Sequence, residues 1–474
     1  MPPPDQSKRS FQAPKGTRDF YPPELLRRRY IEKAWRDTAI RHGFEEIDGP
    51  TFEHTELYTV KSGEAILGEV FNVFSGKDQE QVKEAAGGRA PYALRPEFTP
   101  TLARMYAAQA GSLPKPTKWF WQQNCFRAER PQRGRLREFG QWNVDFLGGD
   151  ESAESRAAAD SEVIATCAAL LRTTGLKVGE VIIKVCDRRL IASLGLIASR
   201  IGMAEATLFD LLDRRSKMEP NKFADLASSA GLDIDALDHN AVLASKYTRG
   251  ELTVSDFRPK FHSDYGDEYC RNWELDFAPL FAVEQAIARS EVGEWCQLDF
   301  SVVRGLAYYT GMVFEVHEAS GAERAIAGGG RYDNLIELFG GPPTPAVGFG
   351  MGDVVLSNIL QDKGLMPEGR ALLDRLSEPG ASLRPDVFVI SNGQPESDAA
   401  LRPLVADLRR KNLHARHTYK TTKNIGKLLK EASDAHARFG AIIESAAEAT
   451  LKDLETGTQE KVPLAAIADR AKRP

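Results

Sequence analysis

The chain has 474 residues, of which 42% are hydrophobic and 27% charged, with a formal net charge of −5. That length exceeds what one hydrophobic core normally holds, so roughly two to four domains of ordinary globular composition are expected. No apolar run approaches the roughly 18 residues needed to span a bilayer. The start, MPPPDQSKRSFQAPKGTRDF, has neither the apolar stretch of a secretory signal nor the Arg/Ser-rich helix of a transit peptide, so a cytoplasmic location is expected.

From the N-terminus, KGTRDFYP leads through Pro22-Pro23 into a helical stretch, ELLRRRYIEKAWRDTAIRHG, ended by Gly43. FEEIDGPTF follows as a short strand stopped by Pro50. Residues 92–150 alternate strand-like runs (YALRPEFT, KWFWQQNCFRAE, REFGQWNVDFLG) with a helix-like TPTLARMYAAQ. Aromatic-rich strands joined by short turns predict a mixed, mainly antiparallel sheet. Residues 151–172 read as an alanine-rich helix and VGEVIIKVCD as a strand. Residues 195–290 read as mostly helical and polar, like an inserted helical domain. Strands resume at WCQLDFSVVRGLAYYTGMVFEVHEA, and this core ends near residue 361. Mixed charge, Gly and Pro mark 362–384 as a linker. Over 385–474, DVFVI, LRPLVADLRRKNL, HARHTY, KNIGKLLKEASDAH and GAIIES alternate strand and helix, predicting a small α/β domain with a largely parallel sheet. The chain thus divides into a core in two parts (1–194 and 291–361), an insertion at 195–290, the linker and a C-terminal domain.

The five cysteines, Cys125, Cys167, Cys186, Cys270 and Cys296, are scattered without a CxxC pair, which points to reduced thiols. The histidines His42, His54, His414 and His417 lack metal-ligand spacing and read as surface or packing residues; no metal site is expected. The acidic average conceals two basic stretches. Residues 401–430 hold nine Lys/Arg against one acid, Asp407, and residues 127–137 hold five arginines. Two basic surfaces on an acidic protein suit a polyanion held at two places, with a solvated helix face as the competing reading for 401–430.

Chemistry concentrates in four segments. In FRAERPQRGRLREFGQWNVDF, arginines 127, 130, 133, 135 and 137 surround Pro131 and Gly134. A hairpin with arginines at its tip is suited to clamp phosphate, because each guanidinium is a planar fork of donors matched to phosphate oxygens. Beyond the tip, Gln141, Asn143 and Asp145 share one strand face, which should be apolar unless a ligand covers it or the strand is a solvated edge. In LRPEFTP, Glu97 and Thr99 likewise share a face; a buried carboxylate needs a partner, and a ligand ammonium is one. RGLAYYTG (304–311) brings Arg304 and the adjacent Tyr308 and Tyr309, which in a strand face opposite ways. GGGRYDNL (328–335) permits close backbone approach through its glycines, with Arg331 and Tyr332 behind, and matches neither a P-loop nor GxGxxG. This is the inventory for activating a small zwitterion with a polyphosphate. No Ser/His/Asp or Cys/His arrangement is evident, so electrostatic positioning rather than covalent catalysis is indicated.

Together KGTRDFYP, LRPEFTP, FRAERPQRGRLREFGQWNVDF, RGLAYYTG, GGGRYDNL and the late TGTQEKVPL resemble the histidyl-tRNA synthetase family of class II aminoacyl-tRNA synthetases over nearly the whole chain. The resemblance implies an α+β fold: a class II synthetase-type antiparallel catalytic sheet flanked by helices, a helical insertion domain and a C-terminal α/β anticodon-binding domain. It further implies a homodimer built partly through the first helix and the strand ending at Pro50. The implied reaction joins L-histidine to tRNA(His) through a histidyl-adenylate, with ATP as substrate and Mg2+ leaving with pyrophosphate.

Position by position, the resemblance puts Glu97, Thr99 and Gln141 on the histidine α-amino group. It puts Asp145 and Tyr309 on the imidazole nitrogens, with Tyr308 and Tyr332 closing the pocket. Arg127 would bind the ATP α-phosphate and Arg304 would stabilise the pentavalent phosphorus opposite it. Gln132, Arg133 and Arg135 would meet the acceptor end of the tRNA. The 401–430 stretch, including Lys423 and Lys427, would meet the anticodon stem-loop, with a solvated helix face as the alternative for KNIGKLLK.

Two positions depart from the family pattern. Ala307 replaces an acidic residue within RGLAYYTG. In PAVGFGMGDVVLSNIL, Val355 stands where class II enzymes place an arginine for ATP, although Gly348, Gly350 and Gly352 still fit close approach to a nucleotide. Arg331 is a candidate replacement by sequence proximity. The gap keeps open a catalytically silent, histidine-sensing paralogue such as an ATP phosphoribosyltransferase regulatory subunit, or an RNA-binding sensor. The presence of Arg127, Arg304 and the C-terminal domain favours the enzyme.

Overall fold

The computed structural model describes residues 11–188, 202–203, 205–215, 218–232, 234–235, 246, 282–283, 285–287, 292–299, 302, 308–420 and 422–472. Most of the expected insertion domain, with Cys270 and Arg304, lies outside them. An eight-stranded sheet organises the core. Its order is β1 (Glu45–Glu46), β5 (Thr117–Phe126), β6 (Glu138–Leu147), β11 (Ala346–Gly352), β10 (Ala327–Arg331), β9 (Met312–Glu318), β7 (Val181–Asp187) and β8 (Cys296–Leu298). Only the edge pairs β1–β5 and β7–β8 are parallel, which is the mixed, mainly antiparallel sheet expected. Strands β2 (Phe52–His54), β4 (Tyr92–Leu94) and β3 (Asn72–Val73) form a small separate sheet.

The two faces of the large sheet do different work. Along β6, Trp142, Val144 and Phe146 belong to the apolar core with helices α1 (Pro22–Arg41) and α4 (Ala153–Thr173), and Trp142 stacks on Trp35 of α1. The alternate residues Gln141, Asn143 and Asp145 point to the opposite face, where they are buried although polar. Helix α1 opens on the prolines read from the sequence, and Gly43 at φ +77° turns the chain out of it. Helix α2 (Thr55–Ser62) follows β2. LRPEFTP, in contrast, is not a strand: after Leu94 the chain turns, and Thr99 opens helix α3 (Thr99–Gln109) with Pro100 in its first turn. Glu97 and Thr99 therefore converge through a turn, not through a shared strand face.

Helix α5 (Asp353–Asp362) is tied to the sheet at its first residue. Buried Asp353 accepts from the Gly140 N–H at 2.9 Å and from Arg18 of the KGTRDF segment at 2.6 Å. A helix at Gly369–Ser377 occupies the middle of the stretch read as a linker.

In the C-terminal sheet the order is β13 (Ala415–His417), β12 (Val387–Ser391), β14 (Phe439–Ile443), β15 (Glu448–Asp453) and β16 (Gln459–Pro463). The first three strands are parallel as expected, and β15 and β16 extend the sheet antiparallel. Val387 and Val389 pack with Leu404 and Leu408 of helix α6 (Pro395–Arg410), while Phe388 and Ile390 pack with Leu428 of helix α7 (Ile425–Asp434). One strand thus serves two helices by alternation.

A buried polar cluster joins this domain to the core. Glu162 of α4 receives Lys118 Nζ at 2.9 Å and Arg409 Nη1 at 3.0 Å, and Lys118 also reaches Tyr419 Oη at 3.1 Å. Burial pushes the Lys118 amine down to about 7, with Glu162 pulling it back, and burial likewise lowers His42 to about 4. His42 thus remains a neutral acceptor for Arg409 at 3.0 Å. Cys125, Cys167 and Cys186 are buried free thiols.

Candidate active site

The polar face of the large sheet floors a cavity of about 970 Å³. Gly348, Gly350 and Gly352 of β11 stand opposite Asp145, Asn143 and Gln141 of β6. A Cβ at Gly348 would fall on Asp145 Oδ1, and one at Gly350 would come 2.9 Å from Gln141 Nε2. On the other side of β11, a Cβ at Gly330 of β10 would lie 3.0 Å from the Tyr309 ring and 2.7 Å from a backbone oxygen. The glycine runs therefore clear room for side chains on neighbouring elements.

Asp145 lines the cavity and is 1% exposed. Tyr332 Oη donates to its Oδ1, while Oδ2 is buried with no hydrogen-bond partner. Burial raises the Asp145 carboxyl to about 7, opposed by the Tyr332 hydrogen bond and by Lys61. Tyr308 and Tyr309 both line the cavity with ring centroids 4.5 Å apart, contrary to the opposite facing expected of a strand; at Tyr308 the chain is in a turn. Tyr308 also lies 6.1 Å from the Tyr332 ring. Gln141 donates to Asn143 at 2.7 Å, and Asn143 reaches Thr99 at 3.4 Å.

Glu97 is paired with a residue that the sequence reading missed. Buried Lys61, near the end of α2, donates to Glu97 and places its ammonium 4.0 Å from the centroid of the Tyr308 ring. A single lysine among the residues TVKSG of a short helix was the available signal, too weak to separate it from a surface position.

Arginines occupy the far end. Arg127 donates to the Pro96 carbonyl at 3.1 Å and lies 5.2 Å over the Phe139 ring, beside Glu97. The hairpin tip closes through reciprocal backbone bonds between Gln132 and Arg135, at 3.0 and 2.9 Å, around Gly134 at φ +73°. Both Gln132 and Arg135 line the cavity, and Arg135 pairs with Glu129 at 2.9 Å. Arg133 is not among the lining residues; it pairs with Glu323, which is, at 2.5 Å and with Asp362 at 2.8 Å.

Arg331 is not placed for a nucleotide. Its buried guanidinium is spent on Asp160 of α4 at 2.6 Å and Asp333 at 2.9 Å, because β10 alternation directs it to the helix-covered face. Arg304 lies outside the described residues, so its expected place opposite Arg127 is not observed. Lys423 donates to the Gly393 carbonyl at 3.1 Å, and Asn424 caps α7 by accepting from the Lys427 N–H at 3.0 Å. Part of the basic charge of 401–430 is consumed internally, by Glu162 on Arg409 and by Glu431 on Lys420. Among the described residues no three His, Cys, Asp or Glu side chains gather to hold a metal ion.

The family profile described as histidyl-tRNA synthetase matches residues 16–353. The chain is 34% identical to the histidine–tRNA ligase of Pyrococcus abyssi, over 95% of this chain and 96% of that protein. It is 36% identical to that of Opitutus terrae, over 96% of both. In fold it is similar to a histidyl-tRNA synthetase crystal structure from Nostoc sp. PCC 7120, with a TM-score of 0.58, 21% identity and coverage of 98% and 99% of the two chains. It is also similar to a Bacillus halodurans structure described as an ATP phosphoribosyltransferase regulatory subunit/histidyl-tRNA synthetase, with a TM-score of 0.55, 21% identity and coverage of 91% and 97%.

Proposed function

The chain belongs to the histidyl-tRNA synthetase family, and from this premise we infer how its cavity carries out ATP-dependent ligation of L-histidine to tRNA(His). The observation that carries the residue assignment is the buried, unpartnered Oδ2 of Asp145, a desolvated acceptor at the end of a pocket walled by tyrosines. An imidazole N–H satisfies it; most other side chains leave it orphaned, and such an unpaired buried group is what makes a pocket reject analogues. Tyr332 fixes the orientation of Asp145, and Tyr308 and Tyr309 flank the ring. Glu97, Thr99 and Gln141 receive the α-ammonium; Lys61 holds Glu97 in place until then.

With the ammonium at Glu97, the histidine carboxylate faces Arg127, which is anchored next door on the Pro96 carbonyl. Arg127 binds the α-phosphate and Arg304 meets it from the other side. The carboxylate oxygen attacks the α-phosphorus, pyrophosphate departs, and the two guanidiniums stabilise the charge on the pentavalent centre. The terminal ribose hydroxyl of the tRNA then attacks the adenylate carbonyl and AMP leaves. Mg2+ would come with ATP as part of the substrate and would offset the charge of the departing pyrophosphate. Gln132 and Arg135 on the hairpin tip meet the acceptor end, and Lys423 and Lys427, on the exposed α7 end of the C-terminal domain, meet the anticodon stem-loop. The internal ion pairs of Arg133 make it a support for the tip. The enzyme works in the cytoplasm as a homodimer. Exposed Tyr21, just before α1, and half-exposed Phe52, after Pro50, support that contact.

Pyrophosphate exchange into ATP with each of the twenty amino acids, without tRNA, tests this reading. Exchange with histidine alone is expected, and Arg304→Ala should abolish it while histidine still binds. Histidine binding without exchange in the parent chain would move the assignment to a silent, histidine-sensing paralogue.

A further inference from the structure

The cavity has a cation that neither the motifs nor the family pattern assigns. Arg324 belongs to the segment SGAERAIAGGG, three residues ahead of β10, and lines the same cavity as Arg127 and Arg135. The β10–β11 register, with Ala327 opposite Met351, carries Arg324 past the end of the ladder to the level where α5 begins. Position 355 lies there, with valine in place of the family's arginine. An ideal Cβ on Gly134 would lie 3.2 Å from Val355 Cγ2 and 3.6 Å from Arg324 Cδ, so both side chains flank one point on the hairpin tip. The backbone of Arg324 is fixed by its neighbour: Glu323, with its side chain 5% exposed, is held by Arg133 at 2.5 Å.

Among the described residues Arg324 makes no hydrogen bond or ion pair, although its neighbours Arg133 and Arg135 do. Partial burial, then Arg135 and Arg127, lower its pKa against the pull of Glu129. Three guanidiniums gather on one cavity wall, and the two carboxylates beside them are already engaged, Glu129 by Arg135 and Glu323 by Arg133, which leaves a site for a polyanion. Its position along the floor says which part of ATP it takes. The amino-acid end is at Asp145 and Gly348, and the floor then passes Asn143 and Gly350, then Gln141 and Gly352, before reaching Val355. Each of those steps is about 6–7 Å along the strands. With the α-phosphate at Arg127, the triphosphate tail extends toward Arg135 and Arg324.

We propose that Arg324 binds the terminal phosphates of ATP, supplying from the β9–β10 connection the contact that position 355 cannot. This rests on the adenylation reading above, and the two are separable by experiment. Calorimetry with a non-hydrolysable ATP analogue and with AMP on the full chain is the direct measurement. Arg324→Ala should weaken the analogue about tenfold or more and leave AMP unchanged, with Arg324→Lys falling between, since a lysine keeps the charge and loses the fork. In pyrophosphate exchange, Arg324→Ala should raise the KM for ATP by a similar factor and leave the KM for histidine within about twofold. Parent-like affinity for the analogue in Arg324→Ala, or equal losses for the analogue and AMP, would overturn the proposal. A parent chain that binds the analogue but performs no exchange would overturn the adenylation reading while the calorimetric comparison still decides the role of Arg324.

Discussion

Two buried carboxylates show how differently this fold treats the same chemical group. Glu162, where the core meets the C-terminal domain, is surrounded by Lys118, Arg409 and His42 and is held well below the usual carboxylate range. Asp145, on the cavity floor, has one phenol donor, one empty oxygen and a carboxyl raised to about 7. Burial is the largest influence on both and pushes both the same way; the sign of the outcome is decided by the partners that the fold supplies. A satisfied buried charge is structure, and an unsatisfied one reserves a place for something that arrives later.

If that distinction is sound, damage at the two places should appear in different measurements. Glu162→Gln leaves Lys118 and Arg409 buried without their counter-charge and should lower the unfolding free energy by about 3–5 kcal/mol in urea titration. Exchange activity per folded molecule should stay at the parent level. The mirror case is Arg127→Ala, expected to cut pyrophosphate exchange about 100- to 1000-fold with little change in the unfolding midpoint. A large stability loss there would mean that Arg127 serves the fold.

The smallest effect separates the two carboxylates by pH. The folded pKa of Asp145, about 7, lies above its ordinary 3.8, so folding takes up a proton between those values. The stability this group contributes is present below about pH 4 and is lost as pH rises through 7. Asp145→Asn should therefore stabilise the ligand-free protein more at pH 8 than at pH 5, read by thermal melts at both. In the parent, the KM for histidine should fall as pH rises through about 7, when Oδ2 becomes the stronger acceptor. A flat profile would remove Asp145 from the imidazole contact.

Much of this was legible in the chain. The aromatic strands, the arginine hairpin and the polar alternation of Gln141, Asn143 and Asp145 follow from local patterns that tertiary packing did not override. What was not legible depended on non-local pairing. Nothing near Arg331 in sequence reveals that Asp160 awaits it across the sheet, and nothing near Lys61 reveals Glu97. Two prolines turn LRPEFTP from a strand into a turn and a helix start. Strands β15 and β16 are short and mixed in polarity, so their alternation is faint.

The glycine ladder of β10 and β11 has a consequence for the thermodynamics of ligand capture. Where Gly348, Gly350 and Gly352 face the cavity, its floor is main chain already locked into register, over seven residue pairs with β6 and five with β10. Such a surface has no rotamers to freeze, so docking against it forfeits almost none of the roughly 0.5–1.5 kcal/mol that ordering each long side chain would otherwise cost. The entropy of binding is then borne by the arginines and the ligand, and the floor acts as a rigid template whose shape is the same empty or full.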